Sequence, residues 1–227
     1  MLFRQLFDPP SWSYSYLLAS RGEAVIIDSV YEQADRDVKL VSELGLTLRY
    51  VLDTHLHADH VTGASQLRDR TGAKLVASAA GGAPCNDMLV KEGDEVRFGD
   101  QTLRVLSTPG HTAGCVSYFL PDRVFTGDAL LVRTCGRTDF QGGDAGKLYD
   151  SIVGKLFTLG DETLVYPAHD YLGHTSTTIG EERRLNARLA GRDRDAFIAL
   201  MGSLNLAMPK KIDVALPANL ACGCPGT

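Results

Sequence analysis

Apolar and polar positions along this chain follow two rhythms, and the switches between them mark its elements. Ala24-Val25-Ile26-Ile27-Asp28 is a short, mostly β-branched apolar run closed by a carboxylate, which predicts a buried strand. From Glu32 to Leu44 the residues Ala34, Val38, Val41 and Leu44 share one helical face, with Gly45 placed to close the helix. Tyr50-Val51-Leu52 predicts the next strand. Val61 to Thr71 then predicts a helix with Val61, Ala64, Leu67 and Arg68 in one stripe, ended by Gly72. In the middle of the chain the period becomes two. Asp94 to Phe98 and Gln101 to Leu106 flank a Gly99-Asp100 turn, and Val116 to Leu120 and Arg123 to Thr126 flank Pro121-Asp122, so two hairpins are predicted. Helix returns over Ala145 to Leu156, a strand over Thr163 to Tyr166, and helices over Gly180 to Leu189 and Asp193 to Met201. This order predicts a mixed α/β fold with hairpins and argues against a purely parallel doubly wound sheet.

Composition adds limits. With 227 residues, 44% of them hydrophobic and 22% charged, the chain can build a sizeable core without disulfides. A net charge of -5 gives no reason to expect nucleic acid or an anionic membrane as partner. No apolar run approaches the roughly 20 residues of a membrane helix. Met1 to Pro10 lacks the layout of a signal or transit peptide, so the expected compartment is the cytoplasm. The cysteines Cys85, Cys115, Cys135, Cys222 and Cys224 are odd in number and irregularly spaced, which argues against a disulfide framework. Cys222-Gly223-Cys224 reads as a mobile tail, and Cys115 and Cys135 as small buried hydrophobes.

The candidate chemistry lies in histidines. His55, His57 and His60 fall within six residues directly after a predicted strand, with Asp59 among them. Imidazoles beside a carboxylate favour Zn, Fe or Mn. Alternate residues leaving a strand point the same way, so His55 and His57 can converge on one point while Asp59 and His60 approach as the chain turns. Three further strand ends carry ligand types: His111 on the Pro109-Gly110 turn, Asp128 after Phe125-Thr126-Gly127, and His169 in Tyr166-Pro167-Ala168-His169-Asp170. His174 lacks such a setting and reads as a loop residue. A metalloenzyme is the reading these positions support.

The order Thr54-His55-Leu56-His57-Ala58-Asp59-His60, then His111, Asp128 and His169, resembles the metallo-β-lactamase superfamily. The resemblance implies a four-layer αββα sandwich with the metal site at the edge of its two sheets. It also implies a single domain over 1–227, ending in a short C-terminal extension from about 203. Gly127 to Arg133 running into Cys135-Gly136-Arg137-Thr138-Asp139-Phe140-Gln141 is similar to the persulfide dioxygenase family. So are Phe3 to Phe7, Pro167 to Tyr171, Met201 to Leu206 and Pro217 to Asn219.

That family oxidises glutathione persulfide with O2 and water to sulfite and glutathione, using one Fe(II). Carried onto this chain, the iron ligands are His55, His111 and Asp128, a two-histidine, one-carboxylate facial triad. His57, Asp59, His60 and His169 then orient ligands or hydrogen-bond to metal-bound water. Glutathione is anionic and a guanidinium suits its carboxylates, so Arg137 is the first candidate for substrate binding, with Tyr171 and Asn219 behind it.

The main alternative is a glutathione thioester hydrolase of the glyoxalase II type. It would hold one metal on His55, His57 and His111 and another on Asp59, His60 and His169, with Asp128 bridging. All seven positions are present, so the ligand residues alone leave one metal and two metals open. Against hydrolysis stand the Arg133 to Gln141 segment and the short C-terminal part. A non-catalytic binding module on the same fold would predict lost ligands, and none is lost. The partners expected are small molecules, glutathione persulfide and O2, with no nucleic acid and no membrane; a homodimer is an open expectation.

Overall fold

In the computed structural model, which describes residues 1–81, 83–208 and 211–224, the chain opens on a hairpin that the hydrophobic rhythm does not reveal. β1 (Leu2–Asp8) and β2 (Ser13–Ser20) pair antiparallel, from Leu2 opposite Ala19 to Asp8 opposite Ser13. β2 is buried on both faces, so it has no polar alternation to read. Its hydroxyls are satisfied inside the protein; Ser15 Oγ donates to the Asp28 carbonyl at 2.8 Å.

β3 (Glu23–Ile27) pairs antiparallel with β2. Then β4 (Thr47–Leu52), β5 (Lys74–Ser78) and β6 (Met88–Val90) add in parallel, giving a six-stranded sheet in sequence order. The second sheet runs β12-β11-β10-β9-β8-β7. Its strands are β7 (Glu95–Phe98), β8 (Gln101–Ser107), β9 (Val116–Leu120), β10 (Arg123–Gly127), β11 (Leu164–Pro167) and β12 (Thr177–Thr178). The two predicted hairpins are β7–β8 and β9–β10, both antiparallel.

The inner faces of the sheets meet in a core that includes Tyr16, Leu18, Ile27, Phe98 and Phe125. Each fully buried apolar side chain of this size contributes about 1.5–3 kcal/mol relative to exposure. α1 (Ala34–Glu43) and α2 (Ala64–Thr71) bring Val41 and Leu67 against Leu17, Ile26 and Leu75 on the outside of the first sheet. α3 (Ala145–Gly154), α4 (Ile179–Leu185) and α5 (Arg194–Ser203) bring Leu148, Ile152, Ile179 and Phe197 against Val124 and Val165 on the outside of the second. The architecture is therefore the αββα sandwich. No helix among the described residues is long and apolar enough to cross a membrane.

The C-terminal stretch departs from expectation. Residues 209–210 and 225–227 of the extension lie outside the described residues, but α6 (Ile212–Leu220) is a helix, with Pro217 inside it. Beyond it, Cys222 is buried against the α1–α2 layer and joined to Cys85 by a disulfide. Cys222-Gly223-Cys224 is thus anchored rather than a free tail: Ser65 N–H donates to the Cys222 carbonyl at 3.0 Å. The irregular spacing hid the pair because Cys85 and Cys222 are 137 positions apart in sequence.

Candidate metal centre

The metal-binding donors gather where β3, β4, β8, β10 and β11 end, and buried polar groups hold them there. Asp28 follows β3 with a left-handed backbone (φ 52°) that turns its carboxylate back over the β4 end. There Oδ1 accepts from the Thr54 amide at 2.7 Å and Oδ2 from the Thr54 hydroxyl at 2.9 Å. With its proton directed at Asp28, Thr54 Oγ1 accepts from His55 Nδ1, 2.9 Å away. This leaves the lone pair of His55 on Nε2.

His111, on its Pro-Gly turn, is set the same way, since its Nδ1 donates to the Arg137 carbonyl at 2.8 Å. Asp128 Oδ1 accepts from His169 Nδ1 at 2.7 Å. Its Oδ2 stands 4.0 Å from His55 Nε2 and 3.7 Å from His111 Nε2. His55, His111 and Asp128 thus offer one ligand atom each, all within 4.8 Å of one another. Their chemistry, two imidazoles and a carboxylate, fits a divalent transition metal.

Two glycines make room for this convergence. A Cβ on Gly136 would lie 2.2 Å from the Asp128 carbonyl oxygen and 2.9 Å from the His111 ring. Gly127 has φ 54°, and a Cβ there would lie 2.5 Å from Thr54 Oγ1.

The protonation states follow from the surroundings. Burial first, and the neighbouring His57 next, hold the His55 imidazole well below the usual histidine range, which keeps it neutral and able to bind metal. Burial opposes charge on His169 too, but Asp128 and Asp59 outweigh it and push His169 well above that range. His169 donates to both, with Nε2 2.8 Å from Asp59 Oδ2. Burial likewise opposes charge on His57, whose Nε2 lies 3.3 Å from Asp28 Oδ1; the carboxylate prevails and pushes it up to about 9.

His57, Asp59 and His60 also bring one donor atom each within 4.8 Å, so the donors of a second metal are present. Two of the atoms there, His57 Nδ1 and His60 Nε2, are buried without a partner among the described residues. Asp59 Oδ2, however, is already shared by His169, by His60 Nδ1 at 3.0 Å and by Ser13 Oγ at 3.3 Å. His174 stands apart, paired with Asp170.

A cavity of 460 Å³ opens over the triad, with Asp59, His111, Asp128 and His169 among its lining and Arg137, Phe140, Tyr171 and Arg188 in its walls. That volume suits a small organic ligand. The three substrate-contact expectations come out differently. Tyr171 stacks its ring on His169, with 6.1 Å between centroids, and lies exposed at the mouth.

Arg137 lines the cavity, but its guanidinium is already engaged. Nε and Nη2 form a bidentate pair with Asp139 at 2.7 and 2.8 Å, Nη1 donates to the Ala207 carbonyl at 2.6 Å, and the group lies over Phe140. The pairing with Asp139 neutralises the charge that made Arg137 the first choice.

Asn219 is a correction. It is buried away from the large cavity, its Oδ1 accepts from Thr62 N–H at 2.8 Å, and its Nδ2 donates to the carbonyls of His57 and His60 at 2.8 and 2.9 Å. Both N–H groups of the carboxamide are spent on the backbone of the histidine loop, and its oxygen is engaged by the Thr62 amide.

Sequence reasoning missed Asp28, Ser13 and Arg188 as site residues. Only Asp28 left a signal, a carboxylate closing a buried apolar strand. Ser13 and Arg188 are brought in by long-range topology.

The family model of the metallo-beta-lactamase superfamily matches residues 9–169. The human protein named persulfide dioxygenase ETHE1, mitochondrial, is 50% identical over 228 residues, covering 98% of this chain and 89% of its own. The crystal structure of ETHE1 from Myxococcus xanthus superposes with a TM-score of 0.97 at 57% identity, covering 99% of this chain and all of that one. A metallo-beta-lactamase from Staphylococcus aureus superposes with a TM-score of 0.89 at 27% identity, over 97% of this chain and 71% of that one.

Proposed function

Because the chain belongs to the metallo-beta-lactamase superfamily, and within it to the persulfide dioxygenases, we propose that His55, His111 and Asp128 hold one Fe(II) on which glutathione persulfide is oxidised. The balanced reaction converts the persulfide, O2 and one water to glutathione, sulfite and two protons. The observation that carries the reading is the triad itself: three donor atoms within 4.8 Å, each side chain held by a protein partner on its other ligating atom. When bound, Fe(II) supplies the O2 and redox chemistry.

The chain's own residues supply placement. Asp28 and Thr54 fix the tautomer of His55, and the Arg137 carbonyl fixes that of His111. His169, protonated between two carboxylates, turns Asp128 Oδ2 toward the histidines and ties up Asp59. This last contact weighs against the two-metal hydrolase, which needs Asp59 and His169 free for a second ion. In our reading Arg137 and Phe140 form one wall that excludes water from the reacting sulfur, and Tyr171 borders its entrance.

The test is metal content of protein purified without added metal, with O2 uptake followed on adding glutathione persulfide. About one iron per chain with sulfite formation is the expected result, and Asp128→Ala should abolish both. Two zinc ions, no O2 uptake and turnover of a glutathione thioester would overturn it.

A further inference from the structure

The C-terminal helix holds the histidine loop, but little apolar burial holds the helix. Of the residues of α6, only Ala215, Ala218 and Asn219 are buried, while Val214 and Leu220 stand exposed. Two alanines remove little apolar surface from water, so burial alone docks α6 weakly. Its grip on the loop is polar, through Asn219 to the Thr62 amide and to the carbonyls of His57 and His60. Just past the helix, Gly223 packs so closely that a Cβ there would overlap the Thr62 carbonyl.

What fastens this end is covalent. Cys222, in the turn after α6, is buried and bonded to Cys85. Cys85 lies between β5 and β6 in a braced turn. The Leu75 amide donates to Asp87 Oδ2 at 2.8 Å, and the Asp87 amide donates back to the Leu75 carbonyl at 3.0 Å. The bond thus ties α6 to a fixed part of the first sheet. His55, Leu56, Asn219 and Cys222 line one small cavity of 20 Å³, so the disulfide, the clamp and a metal-binding histidine adjoin. Cys222 is shielded, whereas Cys85 is half-buried, which makes Cys85 the sulfur open to attack.

We propose that the Cys85–Cys222 bond is an exchange site for small thiols such as glutathione, and that opening it frees Asn219 from the histidine loop and loosens the iron. A thiolate attacks Cys85 Sγ and forms a mixed disulfide there, while Cys222 leaves as a thiolate and takes up a proton. A second thiolate attacks the small-molecule sulfur of that mixed disulfide and releases Cys85. One protein disulfide is reduced to two thiols, and two small thiols are oxidised to their disulfide. With the bond open, α6 rests on its two alanines and the Asn219 hydrogen bonds, so it opens locally while the core stays folded. The iron site, and glutathione as a product at hand, rest on the proposed function; the test separates the two.

Iron-loaded wild type is compared under argon before and after reduction with glutathione, with free Cys85 and Cys222 counted by thiol labelling and mass. Iron affinity in chelator competition should fall about 10- to 100-fold on reduction and recover on reoxidation with glutathione disulfide. The amides of Thr62 and Ser65 donate to Asn219 Oδ1 and to the Cys222 carbonyl. Their hydrogen exchange should quicken at least about 10-fold on reduction, while the amides of β9 and β10 hold. Cys85→Ser should match reduced wild type with or without glutathione. In Asn219→Ala, which lacks the clamp, reduction should leave iron affinity unmoved.

If glutathione leaves the bond intact, or if iron affinity and both amides are unmoved once the two thiols are free, the inference fails. It fails too if the amides of β9 and β10 quicken alike, or if Asn219→Ala loses as much affinity on reduction as wild type does. The bond would then act on the whole fold rather than through the clamp. The amide readout needs no variant, so it decides even where Asn219→Ala does not fold. A chain that binds no iron in either state overturns the proposed iron site by itself; exchange at Thr62 and Ser65 then still decides whether the bond governs α6.

Discussion

Replacing Asn219 with alanine distinguishes a substrate contact from a structural clamp. In the structure the carboxamide satisfies three backbone groups: the Thr62 amide and the carbonyls of His57 and His60. Truncation leaves all three short of a partner at a site only 4% exposed. A buried polar group that loses its bond costs about 1–3 kcal/mol; carbonyls, with a second lone pair, fall at the low end, so about 3 kcal/mol in total is expected. At a urea slope of about 2 kcal/mol per molar, the unfolding midpoint should drop by about 1.5 M. The clamped loop carries His55, so iron should also bind more weakly. Asn219→Asp should do no better than alanine, because it keeps an acceptor for Thr62 but sets a carboxylate against two carbonyls. The assay is urea unfolding followed by circular dichroism, with KM for the persulfide measured in parallel. A raised KM with an unmoved midpoint would refute the clamp and return Asn219 to the substrate.

Four further outcomes follow from named contacts. Thiol titration should find one reactive cysteine in the native protein, the exposed Cys224, three in denaturant, and five after reduction; burial pushes the Cys115 and Cys135 thiols up to about 12 and about 11, which keeps both silent until unfolding. Cys85→Ser should lower stability by about 2–4 kcal/mol without reductant and match wild type with it, read from the same urea curves. Thr54→Val removes the hydroxyl between Asp28 and His55, and should weaken iron binding about 10- to 100-fold in chelator competition, with no change meaning that the relay does not orient His55. Asp37 is raised above the usual carboxylate range by burial, against the opposing Arg36; the folded state therefore favours its proton, stability falls as pH rises through the folded value, and Asp37→Asn should be the more stable protein at pH 7, the gap closing toward pH 4.

Where one face of an element meets the core, the sequence shows it, because burial on one side writes a period. The hairpins β7–β8 and β9–β10 and the helices α1 and α3 are of this kind, each predicted to within a few residues. β2 is buried on both faces and keeps polar Ser13 and Ser15 inside by hydrogen bonds, so it carries neither alternation nor an apolar run. α6 was invisible for a different reason. Pro217 breaks the helical pattern, and the helix is held against the core by Asn219 and by Cys222, contacts that depend on residues more than a hundred positions away.

The candidate site divides along the same line. Residue types and strand-end positions were enough to gather the seven candidate donors, because ligands must converge and strand ends at one sheet edge do so; singling out His55, His111 and Asp128 among them needed the family resemblance. Which nitrogen each histidine offers is not written in the sequence. His55 and His57 are two residues apart and look equivalent, yet Thr54 takes Nδ1 of His55 while Asp28 takes Nε2 of His57. The same carboxylate, Asp28, thus prepares one ring as a ligand through a neutral hydroxyl and holds the other ring charged by direct contact. Interposing Thr54 decides the difference: a hydroxyl passes on orientation without passing on charge. The histidine run therefore holds two environments separated by a single side chain: His55 is bonded through a hydroxyl and His57 meets the carboxylate directly.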